Sequence, residues 1–206
     1  MNFKKIIMAA FAVLVVGCQE GTEVFDHVAQ YNKEKVEIDT YLATHYYDSD
    51  SDQFEDLIEG KTSLANDDNL KAVETTYLDI DYTMYTYETV EGTGNSPDAN
   101  DIVNITYKLT SLENLLYQEN DVNDAFLDLT GLIPGWQVGL PNFKEGESNE
   151  DDPTLPRQYS NSGEGLMIVP SGLAYQNFGS GLISANETLI FKIVLRSVGQ
   201  IENDDE

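Results

Sequence analysis

Across residues 24–47, apolar and aromatic side chains recur at Val24, Val28, Tyr31, Ile38, Leu42 and His45, with Phe25 and Tyr41 on the flanks. Steps of three and four predict a helix with one buried stripe, interrupted at Lys35. The acidic run 48–52 ends it. Phe54, Leu57 and Ile58 predict one further helical turn, and residues 60–69 an exposed loop. At Tyr77 the period drops to two: Leu78, Ile80, Tyr82 and Met84 share one strand face, and Tyr77, Asp79, Asp81, Thr83, Tyr85 and Tyr87 the other. Gly92, Gly94, Asn95 and Pro97 break the run as a turn. The next strand sets Val103, Ile105, Tyr107 and Leu109 on one side.

Phe126, Leu127 and Leu129 form a short apolar segment before Gly131. Residues 133–143 predict a short helix opened by Pro134, which suits a first turn because it has no N–H to leave unpaired. Trp136, Leu140 and Phe143 line one side of it. Residues 147–162 are polar, acidic and Pro-bearing, and are expected to leave the compact body. A strand over 166–169, a turn at Pro170-Ser171-Gly172 and a strand over 189–198 follow, the last pointing Phe191, Ile193 and Leu195 inward and Lys192 and Arg196 to solvent. Residues 199–206 form an acidic tail. One helix followed by antiparallel strands with a short helix between them is the α+β class.

The first residues change the picture. Lys4 and Lys5 precede about a dozen mostly apolar residues, too few to span a bilayer, in the manner of a secretory signal. Val15-Val16-Gly17-Cys18 resembles a bacterial lipobox, so residues 1–17 are expected to be removed and Cys18 to carry lipid. Cys18 is the single cysteine and can form no intrachain disulfide. The expected division is a signal over 1–17, a lipid-anchored linker and helical extension over 18–76, a folded domain over 77–198 with the acidic insertion 147–162, and the tail. The expected location is the cell envelope, at the outer membrane, with the lipid as the only membrane contact.

Charge excludes whole classes of partner. Lys and Arg number 11 against 37 Asp and Glu, for a net charge of -26. Gripping nucleic acid through its phosphates needs basic patches that this chain cannot assemble. One Cys and two His exclude a Cys/His zinc cluster. His27 and His45 fall in the helical extension and are assigned no catalytic role. Asp48, Asp50 and Asp52 alternate as at the start of a calcium loop, but the required Gly and closing Glu do not follow, so a solvated linker is expected.

Two phrases carry chemistry. One is Gly131-Leu132-Ile133-Pro134-Gly135-Trp136, with Gly139 and Lys144-Glu145-Gly146 behind it; the other is Val169-Pro170-Ser171-Gly172-Leu173-Ala174-Tyr175, followed by Asn186-Glu187-Thr188-Leu189-Ile190-Phe191. Together with Glu91-Gly92-Thr93-Gly94 and Val103-Asn104-Ile105-Thr106-Tyr107, they resemble the FK506-binding-protein (FKBP) type of peptidyl-prolyl cis/trans isomerase over roughly residues 82–198. Leu42-Ala43-Thr44-His45-Tyr46-Tyr47 and Asp128-Leu129-Thr130-Gly131 resemble its lipid-anchored members of the Bacteroidetes type. The resemblance implies a curved antiparallel sheet wrapped around one short helix, with the pocket between them. It implies Trp136 as the floor under a proline ring, Phe191, Tyr107 and Tyr117 as walls, Leu132 and Ile133 at the rim with the Ile133 N–H facing the ligand, and the Tyr175 hydroxyl as donor to a carbonyl. Phe126 is a candidate for the remaining aromatic wall.

The chain departs from that pattern at several points. Gln118 stands where the family has a carboxylate, Leu109 and Gln176 where it has glycines, and Ile183-Ser184-Ala185 where its flap has two prolines. The implied substrate is an X-Pro segment of an exported polypeptide, with no cofactor and no metal; a catalytically weak binding module is the alternative. Without the surrounding phrases, Trp136, Tyr107 and Phe191 would equally be core residues of any sheet protein, and Tyr175 a surface tyrosine.

Overall fold

The computed structural model describes residues 25–121, 126–148 and 158–199. The lipobox with Cys18, the middle of the acidic insertion and the C-terminal tail lie outside them. Asp26 starts the first helix, α1 (His27–Thr44), by accepting the Ala29 amide N–H at 2.9 Å, a side-chain N-cap. Its buried residues are Tyr31, Glu34, Ile38, Tyr41 and Leu42. Lys35 does not interrupt the stripe, because it lies on the exposed side and pairs with Asp39 at 2.9 Å. Val28, expected in the stripe, is exposed.

The helix ends before His45, and the chain turns back on itself. β1 (His45–Asp48) and β2 (Gln53–Asp56) form an antiparallel hairpin. The further helical turn expected at Phe54 is therefore a strand. Over so few residues an apolar position has no period, and tertiary contact decides: Phe54, 1% exposed, packs edge-on against Tyr41 and Tyr87 at 6.4 and 5.6 Å, while Leu57 and Ile58 are exposed. Nor is 48–52 a solvated linker. Asp52 closes the hairpin turn at φ 53°, accepts the Tyr47 hydroxyl at 2.7 Å and pairs with Lys192. The polar stretch 60–69 hides a fully buried Leu64 in a 3-10 turn (Leu64–Asn66).

The main sheet begins seven residues before Tyr77. β3 (Leu70–Tyr77) and β4 (Ile80–Val90) pair through a two-residue turn in which Leu78 and Asp79 both take positive φ, the conformation that matches strand twist. Leu78 is thus an exposed turn residue, not a strand residue beside Ile80. The other strands are β5 (Ile102–Ser111), β6 (Leu116–Asn120), β7 (Phe126–Asp128), β8 (Glu147–Ser148), β9 (Tyr159–Ser160), β10 (Gly163–Val169) and β11 (Leu189–Gly199). The sheet runs β3-β4-β10-β11-β5-β6, with β7 also on β5, and its described pairs are antiparallel. Register shifts at Glu164/Gly165, Leu195/Ser197 and Leu109/Thr110 add local twist and bend the sheet. β8 pairs with β9, so both ends of the acidic insertion are fastened.

Both sheet faces are covered. The inner face carries Tyr82, Met84, Ile105, Leu109, Met167, Val169, Phe191 and Ile193 under the second helix, α2 (Pro134–Gly139). Gly135 and Gly139 let α2 sit this close: a Cβ would lie 2.4 Å from Val169 Cγ1 in the first case and 2.4 Å from Met167 Sδ in the second. The outer face carries Tyr87, Leu166, Ile168 and Ile190, sealed by Ile38, Tyr41, Leu42 and Phe54 of α1 and the hairpin. Lys192 and Arg196, expected in solvent, point to this outer side and are half-buried; Lys192 reaches Asp52, and the Arg196 guanidinium lies 6.0 Å over the Tyr159 ring. Among the described residues, no helix is long and apolar enough to cross a membrane.

Candidate active site

Pro134 at the first turn of α2 and the extended Ile133 before it aim the helix at the concave face of the sheet. Trp136, one turn in, is 4% exposed. Its ring meets Tyr107 of β5 at 5.2 Å and 83° and Phe191 of β11 at 5.2 Å and 75°, both edge-to-face, and Tyr107 and Phe191 stand 6.4 Å apart. Edge-to-face contact sets the positive ring edge on the negative ring face, so the three rings hold one another upright. Residues 107, 136 and 191, far apart in sequence, form one apolar box.

Tyr175 closes one side of the box. It follows the 3-10 turn Ser171–Leu173, is half-buried and packs on the same cluster. The Tyr107 phenol pKa is raised, chiefly by burial and then by the nearby Tyr175 hydroxyl. Leu132 and Ile133 are half-buried beside them, Ile133 as the N-cap residue of α2 with no side chain capping that end. Tyr117 of β6 packs against the cluster and donates its hydroxyl to Glu187 Oε1 at 3.0 Å, which ties the sheet edge to the loop before β11. Burial and then that bond raise its pKa.

Two residues stand apart from the box. Gln118 faces Leu109 across the β5–β6 pair and is exposed. Phe126 of β7 pairs with Asn104 of β5 and is 49% exposed, whereas its neighbour Leu127 packs on the core. Ile183 of the flap packs on the core, while Phe178 and Leu182 are each 82% exposed. A separate groove of about 650 Å³ lies on the outer side of the sheet, lined by Tyr41, His45, Glu55 and Glu113 among others, and none of the expected site residues reaches it. Among the described residues, no group of three or more His, Cys, Asp or Glu is placed to hold a metal.

No family model matches the chain. Curated relatives nonetheless include several FKBP-type isomerases. The probable FKBP-type peptidyl-prolyl cis-trans isomerase FkpA of Neisseria meningitidis is 30% identical over 134 residues, 64% of this chain and 42% of that protein. FkpA of Escherichia coli is 31% identical over 115 residues, 54% of this chain and 37% of its own length. The isomerase Mip of Coxiella burnetii is 32% identical over 110 residues, 52% of this chain and 41% of that protein. Among solved structures, a peptidyl-prolyl cis-trans isomerase of Pseudomonas syringae pv. tomato superposes with a TM-score of 0.55 at 20% identity, covering 87% of this chain and all of that one. The E. coli FkpA structure gives 0.50 at 25%, covering 66% and 54%. The fold is FKBP-like. The chain spans less than half the length of the curated relatives it matches.

In this FKBP-like fold, the interior side of the site is apolar, and its hydroxyls come from Tyr107 and Tyr175. Such a box can hold a small apolar ring and strip water from the adjoining amide. One buried residue beneath the site that no distinctive phrase marks is Glu34. It is 1% exposed and accepts the Ser171 N–H at 2.9 Å beneath the turn that leads to Tyr175. Its place on the Tyr31–Ile38 face was a legible signal, because a carboxylate on a buried stripe requires a partner.

Proposed function

We propose that this chain is a peptidyl-prolyl cis/trans isomerase that assists the folding of exported proteins. The observation that carries this reading is the box of Trp136, Tyr107 and Phe191 with Tyr175 at its side, joined to the 27–32% identity with FKBP-type isomerases. Rotation about an X-Pro bond makes and breaks no covalent bond; its barrier, about 18–20 kcal/mol for peptide bonds, comes from amide resonance. Uncatalysed exchange takes roughly tens to hundreds of seconds. A catalyst need only hold the twisted amide better than either planar form. The twisted amide has a localised nitrogen lone pair and a weaker dipole, so a dry pocket disfavours the planar ground states more. Each 1.36 kcal/mol of that difference is about tenfold in rate. Trp136, Phe191 and Tyr107 receive the proline ring, Leu132 and Ile133 flank it, the Ile133 N–H meets the backbone of the segment, and the Tyr175 hydroxyl donates to a carbonyl.

The chain is further proposed to be tethered in the cell envelope by lipid on Cys18, a reading supported by the Val15-Val16-Gly17-Cys18 pattern behind an apolar leader. The deciding experiment measures cis-to-trans turnover of a short X-Pro peptide by the soluble form that starts after Cys18, with and without a macrolide inhibitor of the family. A catalysed phase removed by the inhibitor is expected. Folded protein with no rate above background would overturn the reading. The exposed amide of Gln118, in place of the family's carboxylate, favours a second reading as a peptide-binding module of low activity. In that case the peptide binds without turnover, and Gln118→Asp raises the rate.

A further inference from the structure

We infer that Glu34 of α1 is a positioning residue for Tyr175, so that the N-terminal helix is a working part of the site and not a spacer; this rests on the isomerase reading above. Glu34 is 1% exposed, and each of its two oxygens accepts a bond from Ser171. Oε2 accepts the Ser171 N–H at 2.9 Å; Oε1 accepts the Ser171 hydroxyl and, at 2.8 Å, the side-chain amide of Gln30. Ser171 passes the restraint on. Its carbonyl accepts the N–H of Ala174 at 2.9 Å and of Gln176 at 2.9 Å, the residues on either side of Tyr175. Gln176 holds φ at 53°, a left-handed conformation unfavourable for a side-chain-bearing residue, and its carbonyl accepts the Asn186 N–H at 2.7 Å, closing the flap. An unbroken series of hydrogen bonds thus runs from α1 to both neighbours of the site tyrosine.

A second contact fixes the same register. Tyr31, one turn before Glu34, accepts the Thr83 N–H at 2.7 Å and meets the Tyr82 ring at 4.5 Å. Tyr82 lies against Gly172, where a Cβ would stand 2.3 Å from the Tyr82 hydroxyl. A buried carboxylate held by neutral donors contributes no more to stability than a well-packed apolar side chain would. Its value lies in direction: two Ser171 donors, one on each carboxylate oxygen, specify one orientation of the Ser171 turn, while Gln30 of the same helix braces Oε1. Ser171 lies two positions beyond the last residue of β10, past that strand's own ladder.

The test is a double-mutant cycle on the soluble chain. Glu34→Gln keeps one acceptor but faces an NH2 toward Ser171, so its kcat/KM for a neutral X-Pro peptide is expected to fall two- to threefold, no further than in Tyr175→Phe. In the Tyr175→Phe background the same change is expected to have no further effect, because the group it positions is gone. An equal fold-loss in both backgrounds would make Glu34 merely structural and overturn the proposal. A readout independent of turnover uses NMR of labelled protein: Glu34→Gln should speed hydrogen exchange of the Ala174 and Gln176 amides at least tenfold and shift the Tyr175 ring signal while leaving that of Tyr46 in place. Unchanged exchange and ring signal in folded protein would refute the linkage even if wild type proves inactive, whereas absent turnover alone refutes only the isomerase reading. Should Glu34→Gln fail to fold, Ser171→Ala removes only the hydroxyl bond and is expected to move the same signals by less; no movement there would equally count against it.

Discussion

Trp136 is 4% exposed and touches both Tyr107 and Phe191, so its packing and its proposed role under the proline ring cannot be removed separately. Trp136→Ala is expected to lower stability by about 3–5 kcal/mol and to lower X-Pro turnover more than tenfold, read by urea denaturation and peptide kinetics. Tyr175→Phe deletes one oxygen at the side of the box. Its unfolding midpoint should stay put while turnover falls a few-fold; an unchanged rate in both variants would remove the site from this pocket. Tyr41 offers the opposite sign. Its hydroxyl is buried without a hydrogen-bond partner, and burial followed by Glu55, Asp56 and Glu113 pushes its pKa up. Tyr41→Phe should therefore raise stability by about 1 kcal/mol. Of these residues, Trp136 and Tyr175 were legible because distinctive phrases surround them, and Phe191 was legible only as a core position. The orphan hydroxyl of Tyr41 was not, since a tyrosine on an apolar stripe looks satisfied until its surroundings are known.

Among elements, α1 and the β1–β2 hairpin cover a face that most of the alternating pattern fails to announce. Leu166, Ile168 and Ile190 lie between inward-facing residues, so β10 and β11 are apolar on both sides, as strands covered on both faces must be. A chain shortened to begin at Glu59 would expose those residues with Tyr87. It is expected to lose its sharp thermal transition and bind a hydrophobic dye, whereas a cooperative melt like that of the longer form would show that α1 is dispensable to the sheet. The stripe of α1 was visible in three- and four-residue steps, and α2 in its Pro134 start. β1 and β2 were not, because four-residue strands next to a helix carry too few positions to establish a period. β3 was hidden for another reason: its alternation mixes Val73 with threonines and a glutamate at a sheet edge, where one side meets water.

For the molecule as a whole, a net charge of -26 means that carboxylates repel one another across the folded surface. Raising salt from about 0.02 M to about 0.5 M shortens the screening length severalfold and should raise the melting temperature by several degrees. A melt independent of salt would mean that the charges are already balanced by their neighbours. Alkali acts through the outer-face tyrosines. Burial, with the Asp67 bond adding to it, lifts the Tyr87 phenol to about 12. Because that folded value lies above the ordinary 10, the associated stability is complete below pH 10 and is lost as the pH rises toward 12. Denaturation midpoints between pH 9 and 12 should fall accordingly, and less so in Tyr87→Phe. The residue order by itself determined the α+β class and most of the inward set of the strands, because period is a property of neighbouring positions. Only the tertiary structure decided that 45–56 pairs as a hairpin, that α1 lies on the back of the sheet, and that Glu34 meets Ser171 across 137 positions. Contacts between distant segments depend on which surfaces are left to bury once the sheet has formed, and no local pattern encodes that.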